Sequence, residues 1–400
     1  MNYAASVRVF GVCALAALFP GESYAQWDSA TTRTVVPGVV HRRVVVNSGP
    51  WRLNVLEVDL RRDDISIRGV KGNDVFAARE KLTSMVGRYK GPGQVVAAVN
   101  TDFFDLKTGE SENNVVIEGM MWKGVTLSDS PHDKFDARHS QLGIDWKNRA
   151  FVERFALDAK LVHAGRVARL DGINYRPPYR NSIVLFTPSA GDSTPPDTTH
   201  QNFLYLPVKL VRRKMNDMSF RIAGPIQEGG RTSTSSGGVL IANGIRRDEL
   251  RAIARRGGTI TISAGLAPNH GSLRTVVGGW PVIVNDGKSV AEYSDFVEGT
   301  FPRFDGRNPR TAAGVSKDGS TLYLVTVDGR RPTDAGMSLT ELAKVMMQLG
   351  AHEAMNFDGG GSTTMVIEGK IVNRPSDQAG ERAIGSALLI VSGGARKGIE

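Results

Sequence analysis

The chain has 400 residues, 40% of them hydrophobic and 23% charged, with 45 glycines, one cysteine and a formal net charge of +9 at pH 7. That length and apolar content suffice for a sizeable core in one large domain or two, and the glycine content points to many strands and turns rather than a helical bundle. The lone Cys13 excludes an internal disulfide and a multi-thiolate metal site, while an excess of arginine suits a polyanionic partner: an envelope polymer, a phosphorylated glycan or a nucleic acid.

Residues 1–25 read as a signal peptide: Arg8 precedes an apolar run over 9–19, and Ser23-Tyr24-Ala25 fits a small-x-small cleavage site before Gln26. The run falls short of the roughly 20 apolar residues of a spanning helix. The expectation is a secreted, periplasmic protein with no membrane span after signal removal and no thiol, since Cys13 leaves with the leader.

Residues 26–93 form a β-rich lead-in. Short alternating runs over 44–46, 53–60 and 65–68 are separated by Asn47-Ser48-Gly49-Pro50 and Arg62-Asp63-Asp64, which predicts antiparallel strands, and 75–89 reads as a helix closed by Gly91-Pro92-Gly93. An apolar strand over 94–99 then stops at Asn100-Thr101-Asp102-Phe103-Phe104. In the middle of the chain, 187–200 concentrates Pro, Ser, Thr and Gly and reads as an exposed loop. The stretch 244–256 reads as an amphipathic helix rich in arginine; with no aromatic residues interleaved for base stacking, it is taken as a solvated face rather than a nucleic-acid surface.

The last third is the most informative. Residues 311–316 and 321–327 flank Lys317-Asp318-Gly319-Ser320 as a hairpin, and Ser338 with Glu341 forms a capping box ahead of a helix ending at Gly350. A strand over 354–357 leads into Asp358-Gly359-Gly360-Gly361-Ser362, followed by strands over 363–368 and 383–391. The fold class expected is α+β, with mixed, largely antiparallel sheets. Strand, helix and strand over 322–357 are long enough for a βαβ unit joining two parallel neighbours, which would carry the site by placing Asp328 and Asp358 past the carboxyl ends of their strands. Asn100 and Asp102 lie past the end of a third.

Two carboxylates facing one pocket are the equipment of glycosyl transfer to water. Asp328-Gly329 alone is compatible with a simple turn, but three glycines and a serine after Asp358 leave the backbone bare, as an anion-binding nest requires. Arg310 and Arg330 supply planar guanidinium groups for a phosphate. Gly278-Gly279 reads equally as a close ligand approach or a bulge. There is no P-loop ending, no Gly-x-Ser-x-Gly and no His-Glu-x-x-His, and the set His132, Asp133, Asp136 and His139 in a polar loop is a weak metal candidate; neither metal nor cofactor is expected.

Five segments together resemble a known family: Val96-Ala97-Ala98-Val99-Asn100-Thr101-Asp102-Phe103-Phe104, Val277-Gly278-Gly279-Trp280-Pro281, Pro309-Arg310-Thr311-Ala312-Ala313-Gly314-Val315, Val327-Asp328-Gly329-Arg330 and Asn356-Phe357-Asp358-Gly359-Gly360-Gly361-Ser362. In content, order and spacing they are similar to the phosphodiester glycosidases related to N-acetylglucosamine-1-phosphodiester alpha-N-acetylglucosaminidase. The resemblance covers 94–391 and leaves 392–400 as a tail. It implies a hydrolase that cuts between a sugar's anomeric carbon and a phosphate, acting on a phosphorylated glycan or envelope polymer. Asp358 and Asp328 would be catalytic, and Asn100, Asp102, Gly278, Gly279, Arg310, Arg330, Asn356, Gly359, Gly360, Gly361 and Ser362 would line the substrate. Thr101 and Trp280 depart from the residues common in the family, which bears on the sugar more than on the reaction.

Two rival classes stand beside this. A metal-dependent phosphodiesterase would attack phosphorus and use clustered His and Asp ligands. A noncatalytic module binding envelope glycan or exopolysaccharide would rely on the arginines and on aromatics such as Trp280, and would tolerate loss of Asp358.

Overall fold

The computed structural model describes residues 27–129, 137–175, 181–197, 202–299 and 306–393, so the expected leader, the far tail, and His132, Asp133 and Asp136 lie outside the described residues. The alternating lead-in forms three antiparallel strands, Ser29–Val36, Val39–Val46 and Trp51–Asp59, and the third pairs onward with Thr321–Val327. The order continues through Arg310–Ser316, Ala351–Phe357, Val282–Asn285 and Lys288–Ser289 to give an eight-stranded sheet. A five-stranded sheet, in the order Lys370–Ile371, Met365–Ile367, Gln94–Asn100, Ser386–Ser392 and Ile65–Lys71, packs against it. The lead-in thus supplies strands to both sheets.

Between the two sheets lies the central core. Leu56, Leu324, Met355 and Phe357 project from one side, Val96, Val99, Leu388 and Ile390 from the other, and all are buried. Each such side chain contributes roughly 1.5–3 kcal/mol. The outer face of the eight-stranded sheet is covered by the helix Leu339–Leu349 through Leu342, Ala343 and Met346, and the outer face of the five-stranded sheet by the short helix Leu82–Gly87 through Leu82 and Met85. The expected capping box is present: Glu341 N donates to Ser338 Oγ at 3.2 Å and Ser338 N to Glu341 Oε2 at 2.9 Å, and Gly350 closes the helix at φ 101°. A third, 14-stranded sheet curls around its own core, closed by Leu250 and Ile253 of the helix Arg246–Arg256.

The architecture is α+β and largely antiparallel; among the described residues the one parallel pairing joins Gly172–Ile173 to Ile183–Phe186. The expected βαβ unit takes a different form. Thr321–Val327 and Ala351–Phe357 run in the same direction, but they are not neighbours, because Arg310–Ser316 lies between them and pairs antiparallel with both. A hairpin partner next in sequence occupies the slot that a parallel neighbour would have taken. The helix expected over 75–89 shrinks to Leu82–Gly87. Glu80 is drawn inward to accept from Asn73 N at 2.7 Å and from Arg88 Nε at 2.8 Å, and Glu80–Lys81 pairs with Ala383–Ile384, so tertiary partners outweigh local propensity there. The loop over 187–200 is not exposed throughout, since Thr187 and Thr194 are buried; Thr187 N donates to Asn174 Oδ1 at 2.8 Å.

Candidate active site

The site lies where the chain crosses from one packed sheet to the other. Ala351–Phe357 ends in the eight-stranded sheet, Gln94–Asn100 ends in the five-stranded sheet, and residues 358–364 bridge the two. Asp358 N donates to Thr101 O at 2.8 Å, which locks the two strand ends together. Asn100 fixes the same junction: its Nδ2 donates to Asp358 O at 2.6 Å, while its Oδ1 accepts from Thr311 Oγ1 at 2.7 Å and Thr364 N at 3.1 Å. Buried and bonded to three segments of the protein, Asn100 positions the loop rather than facing a ligand.

Asp358 is partly exposed, whereas Asp102 and Asp328 are almost fully buried. Burial pushes the Asp358 carboxyl up to about 6; the Ser362 hydroxyl, the Arg382 charge and Gly359 N favour the ionised form, and Asp102 opposes it. Gly359 N donates to Asp358 Oδ1 at 2.8 Å. The guanidinium of Arg382 is held bidentately by Asp377 at 2.8 and 3.0 Å and reaches Ser362 Oγ at 3.5 Å, so Ser362 stands between Arg382 and Asp358. Exposed Arg330 crosses the loop from the other side, with its guanidinium over Gly360. Arg330 itself has φ 59°, a conformation uncommon for a residue with a Cβ, and Gly360 shares it at φ 59°.

The glycine run, expected from sequence as an anion nest, directs several of its amides to protein acceptors. Gly360–Ser362 is a single 3-10 turn, and three amides in and just after it donate within the protein: Gly360 N to Pro309 O at 2.9 Å, Ser362 N to Gly359 O at 3.1 Å and Thr363 N to Gly360 O at 3.3 Å. The glycines instead permit close approach, since a Cβ at Gly359 would meet Pro309 O at 2.6 Å. The positive charge close to this loop is that of Arg330 and Arg382.

Asp328 follows Thr321–Val327, two strands from Asp358, which places the two backbones roughly 10 Å apart. Its Oδ1 accepts from Arg374 N at 2.8 Å, and burial, with Asp334 nearby, raises its carboxyl to about 6. Asp334 is in turn paired with Arg52 at 2.7 Å and Arg374 at 3.2 Å. Asp102 accepts from Asn113 Nδ2 at 2.8 Å and Asn113 N at 3.2 Å; burial raises it to about 6, while the charges of Lys71 and Lys123 pull the other way.

Other sequence candidates have protein partners. Arg310 is 2% exposed and donates from Nε to Met337 O and from Nη2 to Gly306 O, each at 2.9 Å, so this guanidinium ties down the segment entering the strand. Gly278 and Gly279 admit protein, not open space: a Cβ on the first would collide with Asp102, and on the second with Met355 and come within 2.5 Å of Asn356 O. Asn356 Nδ2 donates to Trp280 O at 2.6 Å. Trp280, the aromatic expected to serve a glycan-binding module, is 1% exposed, stacked on His139 at 4.0 Å and bonded through Nε1 to Glu298 O at 3.0 Å.

Among the described residues no three His, Cys, Asp or Glu side chains converge as metal ligands would. A cavity of about 640 Å³ opens at the opposite end of the Ala351–Phe357 strand, beside Phe151, Tyr293 and Glu353, and none of the three aspartates lines it. Sequence reasoning missed Arg382, Arg374 and Asn113. Arg382 lies in a polar segment before the last strands, and the one signal available was its charge.

Comparison with known proteins bears on this arrangement. Residues 216–391 match the sequence profile of the phosphodiester glycosidase family, a span that includes Asp328, Asp358 and Arg382. Over these residues the chain is similar to the phosphodiester glycosidase family. The chain is 29% identical over 243 residues to N-acetylglucosamine-1-phosphodiester alpha-N-acetylglucosaminidase of Mus musculus, covering 57% of this chain and 44% of the mouse protein. It spans less than half the length of the curated relatives it matches. A solved protein from Synechocystis superposes with a TM-score of 0.73 at 20% identity, covering 91% of this chain and 64% of that one. A Burkholderia pseudomallei K96243 protein superposes with a TM-score of 0.65 at 24% identity over 88% of this chain and 77% of that one. At these identities the two structures establish a shared fold.

Proposed function

We propose that this chain hydrolyses the bond between a sugar's anomeric carbon and a phosphate in a sugar-1-phosphodiester, on a phosphorylated glycan or envelope polymer. The observation that carries this reading is a partly exposed aspartate, Asp358, on a loop inside the family match that two arginines, Arg330 and Arg382, approach.

The leaving group sets what is required. A phosphate monoester is a weak base and departs without a strong general acid once its charge is held, so a single carboxylate suffices for the covalent or base step. Asp358 takes that role, because it is the least buried residue of the three aspartates and opens the loop that Arg330 and Arg382 approach. Arg330 and Arg382 neutralise the departing phosphate, and guanidinium groups suit its paired oxygens. Water adds to the anomeric carbon as the bond to the ester oxygen breaks, and the products are free sugar and a phosphomonoester. Asp328 and Asp102 act at one remove, the first through Arg374 and the second beside Asp358. The leader-like segment 1–25 supports export to the periplasm as the setting.

The test is a paired assay of wild type and Asp358→Asn on N-acetylglucosamine-1-phosphodiester compounds, following sugar and phosphomonoester together. Equal release by wild type and a loss of at least about 10³ in the variant are expected. Near-normal turnover by Asp358→Asn at an unchanged Tm would move the role to Asp328. Wild type that binds glycans without cleaving any sugar-phosphate diester would favour a binding module.

A further inference from the structure

Three arginines from two separate elements line one groove, and none of them forms an ion pair among the described residues. The helix Arg246–Arg256 carries five arginines. Arg246 pairs with Asp171 at 3.1 Å and Glu249 at 2.6 Å, and Arg247 and Arg251 reach Glu228 at 3.5 and 3.0 Å. Arg255 and Arg256 are exposed and have no ion pair among the described residues. Neither does Arg166, also exposed, which opens the strand Arg166–Arg169.

Register brings Arg166 to the helix. It stands opposite His163 of the strand Ala156–His163, whose buried residues alternate as Ala159, Leu161 and His163 on the face packed toward the helix. Arg166 therefore belongs to that inner face. With Arg255 and Arg256 it lines a groove of about 480 Å³ floored by Leu161 and Ile253, with Glu249 at its edge. Arginines in a last helical turn complement the carbonyl end of the helix, which accounts for Arg255 and Arg256 but not for a third cation supplied by a strand. Like charges gathered this way repel one another, and a bound anion offsets that cost.

We propose that this groove is an exosite for the anionic backbone of a phosphorylated glycan, gripping the polymer away from the aspartates. None of its lining residues belongs to the two sheets that hold Asp102, Asp328 and Asp358. The choice of a glycan rests on the function proposed above, and the groove's chemistry agrees with it. No Phe, Tyr or Trp lines it for base stacking, and Glu249 can accept from sugar hydroxyls.

The test uses the full chain, an oligomer of N-acetylglucosamine-1-phosphodiester units, a monomeric diester and a neutral N-acetylglucosamine oligomer of equal length. Binding of the charged oligomer is measured directly on the Asp358→Asn background, so that turnover plays no part. The triple variant Arg166→Gln, Arg255→Gln, Arg256→Gln is expected to weaken its Kd at least about tenfold, to flatten the salt dependence and, in the active enzyme, to raise KM for the oligomer while leaving the monomeric diester unaffected. The matching triple Lys variant, which keeps the charge, should retain most of the affinity even if the Gln variant folds poorly. An unchanged Kd, or an equal loss on the neutral oligomer, overturns the proposal. Equally tight, equally arginine-dependent binding of single-stranded DNA overturns the assignment to glycan. If wild type cleaves no sugar-phosphate diester but the binding pattern holds, the proposed reaction fails and the exosite stands.

Discussion

The guanidinium of Arg330 lies over Gly360 so closely that a Cβ there would meet its Nη2 at 2.9 Å. Gly360→Ala therefore does two things. It places a side chain at φ 59°, which costs about 1–2 kcal/mol, and it displaces the arginine from the loop that carries Asp358. The expected outcome is a modest fall in Tm with a fall in kcat/KM that is larger for a sugar-1-phosphodiester than for an uncharged aryl glycoside. Equal losses on both substrates would assign the contact to folding alone.

The three arginines should separate by substrate. Arg310→Gln leaves carbonyls of Met337 and Gly306 without their donor, so the expected effect is a loss of about 2–3 kcal/mol in denaturant unfolding with no preference between substrates. Arg330→Gln and Arg382→Gln should instead lower kcat/KM for the diester selectively, by roughly 10- to 100-fold each, at near-normal stability. Selective diester loss in the Arg310 variant would contradict its structural assignment.

Asp358 must be ionised to act, so kcat/KM should rise as pH climbs through about 6. Arg382 favours the ionised form, and removing its charge should move that acid limb to higher pH. A structural defect alone would lower the plateau and leave the limb in place, which makes the pH profile of Arg382→Gln the discriminating measurement.

Asp328 makes a stability prediction of definite sign. Its carboxyl is raised from the ordinary 3.8 to about 6, so its favourable contribution is complete below pH 4 and is lost as pH rises through about 6. Asp328→Asn, which resembles the protonated side chain, should remove that dependence. Urea unfolding should show wild type losing roughly 2–3 kcal/mol relative to the variant between pH 4 and pH 7.5. A constant difference between the two proteins would show that the carboxyl is not titrating there.

How legible this was from sequence depended on whether the signal was local. The capping box at Ser338 and Glu341 and the hairpin over 310–327 are local, and both formed as the residues indicated. The strand between Thr321–Val327 and Ala351–Phe357 was not legible as such, because pairing order is a property of the whole sheet. The site divides in the same way. Asp358 and its glycines stood out, but glycine content says only that something comes close, and the neighbours are Pro309 O, Arg330 and the Asp377–Arg382 pair. Asn100 and Arg310 carry the residue types of a ligand site, yet their hydrogen bonds run to protein groups more than 200 and up to 27 residues away. Arg382 was overlooked because its link to Asp358 passes through Ser362, a contact that exists only after the two sheets pack.

The central claim is attack at carbon rather than phosphorus, and isotope placement decides it. Wild-type enzyme should hydrolyse an N-acetylglucosamine-1-phosphodiester in oxygen-18 water with the label appearing in the sugar and none in the phosphomonoester. Label in the phosphate would contradict the account and indicate a phosphodiesterase.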